Sequence, residues 1–301
     1  MRLGHFDLNL FITLDALLET ASVSRAAERL HLGASATSSA LGRLRAHFQD
    51  ELLVPAGRGM HLTPLAQSLR EPVRELLLRA QATLASGSAV EPAALRRRFV
   101  INASDYATTV LLTPLSQRLE ALAPGVSIDV VSLGNSNVER LERGDVDLAI
   151  YPERNASPDH PQCELLTERY SCVVWTGFHL QGEALGLPQY LAARHVAAQF
   201  GDLRVPTFES WFLATHQAQR EVVASASSFN ALPLLVVGTQ RIATMHTRLA
   251  RMYARLLPVR LLAPPFEIPP LTLVAQWNRL KAQDAALAWL REQLQAVALQ
   301  A

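Results

Sequence analysis

The side chains that could support chemistry are not arranged as they are in an enzyme. The sequence contains no G-x-S-x-G nucleophile elbow, no G-x-G-x-x-G dinucleotide fingerprint, no phosphate loop and no H-E-x-x-H zinc motif. Histidines occur singly and without metal-ligand spacing, at His160, His179, His195, His216 and His246. We therefore expect no catalytic residues, no metal and no cofactor.

A segment near the N-terminus instead carries short hydrogen-bond donors followed by cations, the groups that contact DNA bases and phosphates. These candidates are Ser35, Thr37, Ser38, Ser39, Arg43 and Arg45. Between them, apolar residues recur at helical spacing, at Ala36, Ala40, Leu41 and Leu44. The pattern predicts a helix that buries its apolar face and presents the donors and arginines to the major groove.

Neighbouring elements must hold that helix in place. Ser22 or Ser24 can cap a short preceding helix, and Gly33 can supply the turn between the two. Residues 7–20 carry an apolar face at helical spacing and should pack behind both. The three segments together predict a helix-turn-helix domain.

A hairpin is predicted directly after the helix-turn-helix. Residues 52–54 and 60–62 form short apolar strands around a glycine-rich turn, which is typical of a wing. Arg58 lies at its tip, where it can meet a phosphate or enter the minor groove. A solvated arginine on a turn is the alternative.

The next segment predicts a long helix that begins near Pro64 and is bent by Pro72. Its apolar stripe consists of Leu65, Leu69, Val73, Leu76, Leu77, Ala80 and Leu84. A second copy of the chain is the simplest partner for such a stripe, and packing onto the chain's own body is the alternative.

These segments resemble the N-terminal domain of LysR-type transcriptional regulators. The matching runs include Phe6-Asp7-Leu8-Asn9-Leu10, Ala26-Ala27-Glu28-Arg29-Leu30, Glu51-Leu52-Leu53-Val54 and Leu62-Thr63-Pro64-Leu65-Ala66. The resemblance implies operator binding, a dimer or tetramer formed through the long helix, and activation through RNA polymerase. From the residues alone, repression is an equal alternative. The chain departs from the family pattern at Ala34, where a base-reading glutamine is common, and at Pro55, where arginine is usual. These two departures mean that the family pattern does not predict the operator sequence.

From residue 99 onward the pattern changes to alternating strands and helices, which is typical of an α/β fold. Strands are predicted at 99–103, 126–133, 146–151, 170–175, 195–200, 221–226, 241–245, 259–263 and 271–277. Helices are predicted at 108–122, 138–143, 187–193, 208–217, 230–237 and 282–297. Two halves, with crossovers near 152–170 and 238–265, resemble the clamp of periplasmic-binding proteins and the LysR effector domain.

The sequence thus predicts three parts: a mainly α winged helix-turn-helix domain at 1–62, a linker helix with its hinge at 63–95, and an α/β effector domain at 96–301. A ligand would lie between the two halves of the last part, near the ends of their strands. The candidate effector-binding residues are Ser104, Thr108, Asn135, His179, Phe200, Arg204, Ser228 and Phe229. Helix capping is the alternative for Ser104 and Asn135, and a place in the core is the alternative for the phenylalanines.

Composition fits a regulator of this kind. The 301 residues carry a net charge of +1, so a DNA-binding surface must arise from local placement. Cys163 and Cys172 lack metal spacing and are expected to be buried free thiols. With no signal peptide or membrane span in the sequence, we expect a cytoplasmic protein that does not bind membranes. The predicted partners are double-stranded operator DNA, a small aromatic or carboxylate effector, further copies of the chain and RNA polymerase. The alternative is a small-molecule-binding protein or enzyme whose helical head does not bind DNA.

Overall fold

The structure, a computed structural model, describes residues 6–57, 59–85, 90–134, 136–180, 182–200, 208–216 and 220–300. The chain divides into two compact units, residues 1–86 and 87–301, which are described separately. Within the described ranges, no helix is long and apolar enough to cross a membrane. The same ranges contain no group of three or more His, Cys, Asp or Glu side chains placed to hold a metal ion.

The first unit contains the predicted helix-turn-helix, hairpin and long helix. Its elements are α1 (Leu10–Thr20), α2 (Val23–Leu30), α3 (Ala34–Phe48), β1 (Leu53–Ala56), β2 (Gly59–Leu62) and α4 (Pro64–Ala85). Of the two candidate caps of α2, Ser22 is the one used, because its Oγ accepts the backbone N–H of Arg25 at 3.4 Å. The cap position of α3 is occupied by Gly33. The strands pair in antiparallel register, and Gly57 adopts a φ of 58° in the turn between them.

The apolar stripe of α4 does not form one uninterrupted surface for a partner chain. Val73 is buried in the core of the same unit and is therefore not available to a partner chain, while Leu69 and Leu77 are half-buried against that core. Arg74 reinforces this packing, because its guanidinium lies 2.6 Å from the carboxylate of Asp15 in α1. The remaining stripe residues are exposed, at Leu65, Leu76, Ala80 and Leu84.

The second unit contains two mixed sheets with helices around them. Its strands are β3 (Arg97–Ala103), β4 (Val126–Ser132), β5 (Leu148–Pro152), β6 (Gln162–Glu168), β7 (Tyr170–Trp175), β8 (Arg194–Ala198), β9 (Glu221–Ala226), β10 (Arg241–His246), β11 (Val259–Leu262) and β12 (Leu271–Gln276). Its α-helices are α5 (Asp105–Ala107), α6 (Thr113–Leu122), α7 (Asn137–Glu142), α8 (Leu187–Ala192), α9 (Phe208–His216), α10 (Thr247–Ala254) and α11 (Ala285–Ala298). A π-helical turn, Thr108–Leu112, joins α5 to α6.

The two sheets define two halves of this unit. The first has the strand order β4-β3-β5-β12-β6 and the second the order β11-β7-β10-β8-β9. The chain passes to the second sheet at Arg169, between β6 and β7, and returns through residues 263–270, between β11 and β12. Buried residues of both sheets, such as Ile101 and Val173, belong to one continuous apolar core. The halves are therefore joined by a common apolar core as well as by two chain crossings.

Three elements differ from the sequence predictions. Residues 230–237 were expected to be a helix, but only a 3-10 turn, Phe229–Ala231, is present, followed by further turns. Strand β6 and helix α10 were not predicted. The polar residues between the apolar ones in β6 obscured its pattern, because the exposed side of a strand at the sheet edge carries them.

Candidate DNA-binding surface and effector cleft

The exposed face of α3 carries three of the predicted hydroxyl donors, Ser35, Ser38 and Ser39. Thr37 does not belong to this face, because its side chain is fully buried and its Oγ1 donates to the carbonyl oxygen of Gly33 at 3.3 Å. The prediction that Thr37 points outward is wrong. The exposed residue beside it is Ala36, which was expected in the core.

The two arginines of α3 occupy different environments. Arg43 is largely exposed, and its guanidinium lies 3.3 Å from the carboxylate of Asp7. Arg45 turns back onto the hairpin, where it donates to the carbonyl oxygens of Glu51 at 2.8 Å and Leu53 at 2.9 Å. Arg45 therefore holds the start of β1, so its side chain has a structural role in the hairpin whether or not it also contacts DNA.

Three predicted site residues, Arg58, Asn135 and Arg204, lie outside the described residues.

The second unit contains a partly open cavity of about 420 Å³ between its two sheets. This volume lies in the range of small-molecule sites, roughly 300–1,000 Å³. The lining comes from the ends of strands in both halves and is mainly apolar and aromatic. It includes Ser104, Asp105, Tyr106, Leu133, Tyr151, Arg154, Tyr170, Phe200, Phe208, Phe229, Thr244, Met245, His246, Leu271 and Leu273.

The aromatic wall of the cavity is organised around His246, which ends β10. Its imidazole stacks on Tyr106, with ring centroids 4.2 Å apart, and meets the edge of Phe229 at 4.6 Å. Phe200 in turn packs on Phe229 at 4.9 Å. Burial lowers the pKa of His246 to about 4, although the carboxylate of Asp105 acts in the opposite direction. The imidazole is therefore neutral at physiological pH and acts as another ring of the wall.

The tyrosines of the cavity wall keep their protons. Burial raises the pKa of Tyr170 to about 12, and burial together with the neighbouring Glu168 raises the pKa of Tyr106 well above its ordinary value. The hydroxyl of Tyr106 donates to the Glu168 carboxylate, which also lies 3.5 Å from the guanidinium of Arg248. The Tyr106 ring, with its hydroxyl engaged elsewhere, contributes an apolar face.

Three of the predicted effector residues line the cavity: Ser104, Phe200 and Phe229. Ser104 also caps α5, because its Oγ accepts the backbone N–H of Ala107 at 3.2 Å. Ser104 can therefore cap α5 and contact an effector from the same position.

The other described candidates do not line the cavity. The hydroxyl of Thr108 donates to the carbonyl oxygen of Ser104 at 2.8 Å, and that of Ser228 donates to Asp105 at 2.8 Å. His179 is exposed on a loop, where its backbone N–H donates to Gln240 at 2.8 Å. The assignment of these three residues to the effector site is corrected.

Sequence reasoning missed most of the wall. Tyr106, Tyr170 and His246 approach one another only in the folded chain, and no local pattern joins them. Arg154, on a 3-10 turn after β5, is an exposed cation at the cavity. The one available signal was the Ser104-Asp105-Tyr106 run directly after a strand, where cleft residues are expected.

A helix-turn-helix with an exposed polar recognition helix, combined with a cavity between two α/β halves, defines a DNA-binding regulator with a ligand-binding domain. Residues 8–67 match the family model of the bacterial regulatory helix-turn-helix protein, lysR family. Residues 92–299 match that of the LysR substrate binding domain. The chain belongs to the LysR family of transcription regulators, which is a family of regulators and not of enzymes.

Relatives match along almost the whole chain. Nodulation protein D 2 of Rhizobium tropici is 38% identical over 294 residues, which cover 98% of this chain and 93% of that protein. Nodulation protein D 1 of Mesorhizobium japonicum is 38% identical over 292 residues, covering 97% and 93%. Among solved structures, PA0477 of Pseudomonas aeruginosa superposes with a TM-score of 0.67 at 31% identity, covering 98% of both chains. Full-length CbnR in complex with its target DNA has a TM-score of 0.52 at 15% identity and covers 97% of this chain and 100% of its own, a likeness of fold alone.

Proposed function

We propose that this chain binds an operator as a dimer or tetramer and regulates transcription in response to an aromatic small molecule held in the cleft of residues 87–301. The observation that carries the proposal is the aromatic cavity, which lies in the same chain as an exposed recognition helix. Operator binding and effector binding are argued from separate residues.

Operator contacts are proposed for Ser35, Ser38, Ser39 and Arg43 on α3. Arg58, which lies outside the described residues, is proposed from its place in the sequence to contact the adjoining backbone or minor groove. Exposure of the first four supports this assignment. The serines offer donors and acceptors to base edges, and the arginine offers charge to a phosphate. Because Ala34 stands where the family commonly has a base-reading glutamine, recognition of the operator bases depends on the serines.

Dimerisation is proposed through the exposed part of α4. Leu76, Ala80 and Leu84 are spaced by four residues and so follow one face of the helix. Leu76 is 42% exposed and Leu84 is 86% exposed. A second copy of the same helix is the proposed occupant, because it would cover both apolar faces and would place two heads on two half-sites.

The effector is proposed to be a flat aromatic compound. The ring faces of Tyr106, Phe200 and Phe229 can stack on its rings, because aromatic pairs favour offset and edge-to-face contacts. An acidic substituent, if the compound carries one, would face Arg154. Binding between two halves favours one arrangement of them over another, which is how a ligand shifts a conformational equilibrium.

Contact with RNA polymerase, and with it activation of transcription, is proposed on the strength of the family. A regulator that binds operator DNA works in the cytoplasm of a bacterium.

The test is a gel-shift titration of the purified chain on the DNA upstream of its own gene, at a fixed and stated salt concentration. A specific shift that survives unrelated competitor DNA is expected. A folded protein that shifts the upstream fragment no better than unrelated DNA would contradict operator binding at that site.

A further inference from the structure

The aromatic cavity of the second unit adjoins a second, smaller cavity of about 40 Å³. A cavity needs roughly 10–15 Å³ to hold one water molecule, so the smaller one has room for a polar group of a few atoms. Among the described residues, four line both cavities and so mark the junction between them: Arg154, Tyr170, Phe208 and Leu271.

A row of rings leads along the wall of the larger cavity to this junction. The edge of Phe229 meets His246 with 4.6 Å between the ring centroids. The His246 ring lies 5.2 Å from that of Tyr170, and the Tyr170 ring lies 5.7 Å from that of Phe208. An elongated aromatic ligand that lies along these rings therefore extends toward the junction, where a polar group at its end would meet the polar side chains found there.

Arg154 brings a positive charge to the junction. It lies on the 3-10 turn Glu153–Asn155 that follows β5, and its side chain is exposed. Its charge acts on Tyr170: burial is the larger effect and raises the pKa of that hydroxyl to about 12, while the guanidinium acts in the opposite direction. A guanidinium presents N–H donors in a planar fork that matches the geometry of a carboxylate.

The hydroxyl of Tyr170 is a second donor at the junction. It makes no hydrogen bond within the described part of the chain, and it is not one of the atoms that are screened from solvent. Because its pKa is about 12, it carries its proton at neutral pH. Among the described residues, Asp105 is the one acidic side chain that lines either cavity, and it does not line the junction.

We propose that the effector carries an anionic group, such as an aromatic carboxylate, and that Arg154 and the Tyr170 hydroxyl bind this group where the two cavities meet. The guanidinium supplies charge and the hydroxyl supplies a hydrogen bond, while the rings along the wall hold the apolar part of the ligand. This inference rests on the proposed aromatic effector and adds a requirement on its polar group.

The test compares three biphenyl probes that differ in the group at one end: biphenyl-4-carboxylate, the uncharged biphenyl-4-carboxamide of nearly the same shape, and 4-phenylphenol. Titration calorimetry with the full chain at neutral pH and low salt measures the three affinities. We expect the carboxylate to bind about fivefold more tightly than the carboxamide, the upper range for an ion pair that is partly exposed to water. The phenol, which is also uncharged at this pH, should bind less tightly than the carboxylate.

Arg154→Gln removes the charge and should abolish this fivefold preference, while affinity for the carboxamide stays within about twofold of the wild type. Arg194→Gln is the matched control, because it makes the same change at an exposed arginine that pairs with Glu221 and lines neither cavity. It should keep the preference. Tyr170→Phe keeps the ring against His246 and should lower affinity for the carboxylate about threefold, since it removes one hydrogen bond.

The salt dependence of the wild-type chain gives a measurement that needs no variant. Mobile ions screen exposed charges, so the preference for the carboxylate over the carboxamide should shrink as salt is raised from about 0.05 M to about 0.5 M. A preference that does not change with salt would overturn a role for the Arg154 charge.

The remaining outcomes separate this proposal from the aromatic effector on which it rests. Equal binding of all three probes, or a preference that survives Arg154→Gln, would overturn the anion site and leave the aromatic cleft as a binding site. A preference lost equally in Arg194→Gln would also overturn it. Unchanged affinity for the carboxylate in Tyr170→Phe would remove the hydroxyl from the site. Failure of the wild-type chain to bind any probe would contradict both the anion site and the proposed aromatic effector.

Discussion

The imidazole of His246 lies on the ring of Tyr106, with 4.2 Å between the centroids and 25° between the planes. Tyr106 follows β3 of the first sheet and His246 ends β10 of the second, so this contact joins the two halves of the second unit. It also removes His246 from water. His195, on β8, is equally buried, and its Nε2 lies 2.8 Å from the carbonyl oxygen of Tyr190.

The two buried histidines predict a dependence of stability on pH. Burial lowers the pKa of His246 and of His195 to about 4 from an ordinary value of 6.5. Between these values the unfolded chain binds protons that the folded chain does not, so stability falls as the pH is lowered through this window. Each histidine accounts for a loss of up to about 3 kcal/mol in the free energy of unfolding.

His246→Phe should reduce this pH dependence while keeping a ring against Tyr106. All four tryptophans, Trp175, Trp211, Trp277 and Trp289, lie in the second unit, so their fluorescence during urea unfolding reports on that unit. Unfolding is measured between pH 7 and 5, above the range in which most carboxylates titrate. An unaltered slope in the variant would show that His246 is not buried in its neutral form.

The different environments of Arg43 and Arg45 predict different consequences of their removal. Arg43→Ala should weaken operator binding and reduce the slope of log affinity against log salt by about 1, as expected for one lost phosphate contact. Arg45→Ala should instead lower the free energy of unfolding of the first unit by about 1–2 kcal/mol. The substitution leaves the carbonyl oxygens of Glu51 and Leu53 without this donor. Gel shifts and thermal melts of both variants separate the two effects. Equal melting temperatures would contradict the role given to Arg45.

If the exposed apolar face of α4 forms the dimer, a charged residue introduced into that face should weaken it. Leu76→Glu should shift the chain from dimer toward monomer, because it places a charge in the proposed apolar interface. Leu299→Glu is a matched control, since Leu299 is 88% exposed near the C-terminus and lies outside that face. Sedimentation velocity at micromolar protein measures both. A Leu76→Glu chain that sediments like the wild type would place the dimer contact elsewhere.

The cavity wall predicts which substitutions affect ligand affinity. Phe229→Ala should weaken binding of 4-phenylphenol about tenfold or more, because it removes a ring that contacts both Phe200 and His246. Operator affinity measured without ligand should stay the same. Thr108→Val serves as the comparison: Thr108 does not line the cavity, and the variant should bind the probe within about twofold of the wild type. A larger effect at Thr108 than at Phe229 would contradict the position of the site.

Local patterns were sufficient for most of the fold. Periodic apolar residues predicted the helices of the first unit, and short apolar runs bounded by turns predicted nine of the strands in the second unit. The buried face of α3 contains Ala40, Leu41 and Leu44 as predicted, but Thr37 takes the place expected for Ala36. The Thr37 hydroxyl bonds to the carbonyl oxygen of Gly33, which allows this polar residue into the core. Residues 230–237 have an apolar pattern like that of a helix, but Asn230 is held by Asp105 and Thr109 in a turn.

The cavity was much harder to predict than the elements that form it. Ser104, Phe200 and Phe229 were found from their positions near strand ends. Asp105 was not among the candidates, although it lines the cavity and one of its carboxylate oxygens accepts a hydrogen bond from the opposite half. What could not be predicted is the meeting of residues far apart in sequence, such as Tyr106 with His246, because sheet order and crossover geometry decide it.

Footprinting on the DNA upstream of the chain's own gene tests the central claim most directly, that this chain is a dimeric, effector-responsive operator-binding protein. Two protected half-sites are predicted, separated by about one helical turn of roughly 10 base pairs or a multiple of it. Arg43→Ala should lose protection at both half-sites together, and a ligand that fills the cavity should alter the protected pattern. Protection that is absent, or that covers a single site and does not respond to Arg43→Ala, would contradict the account.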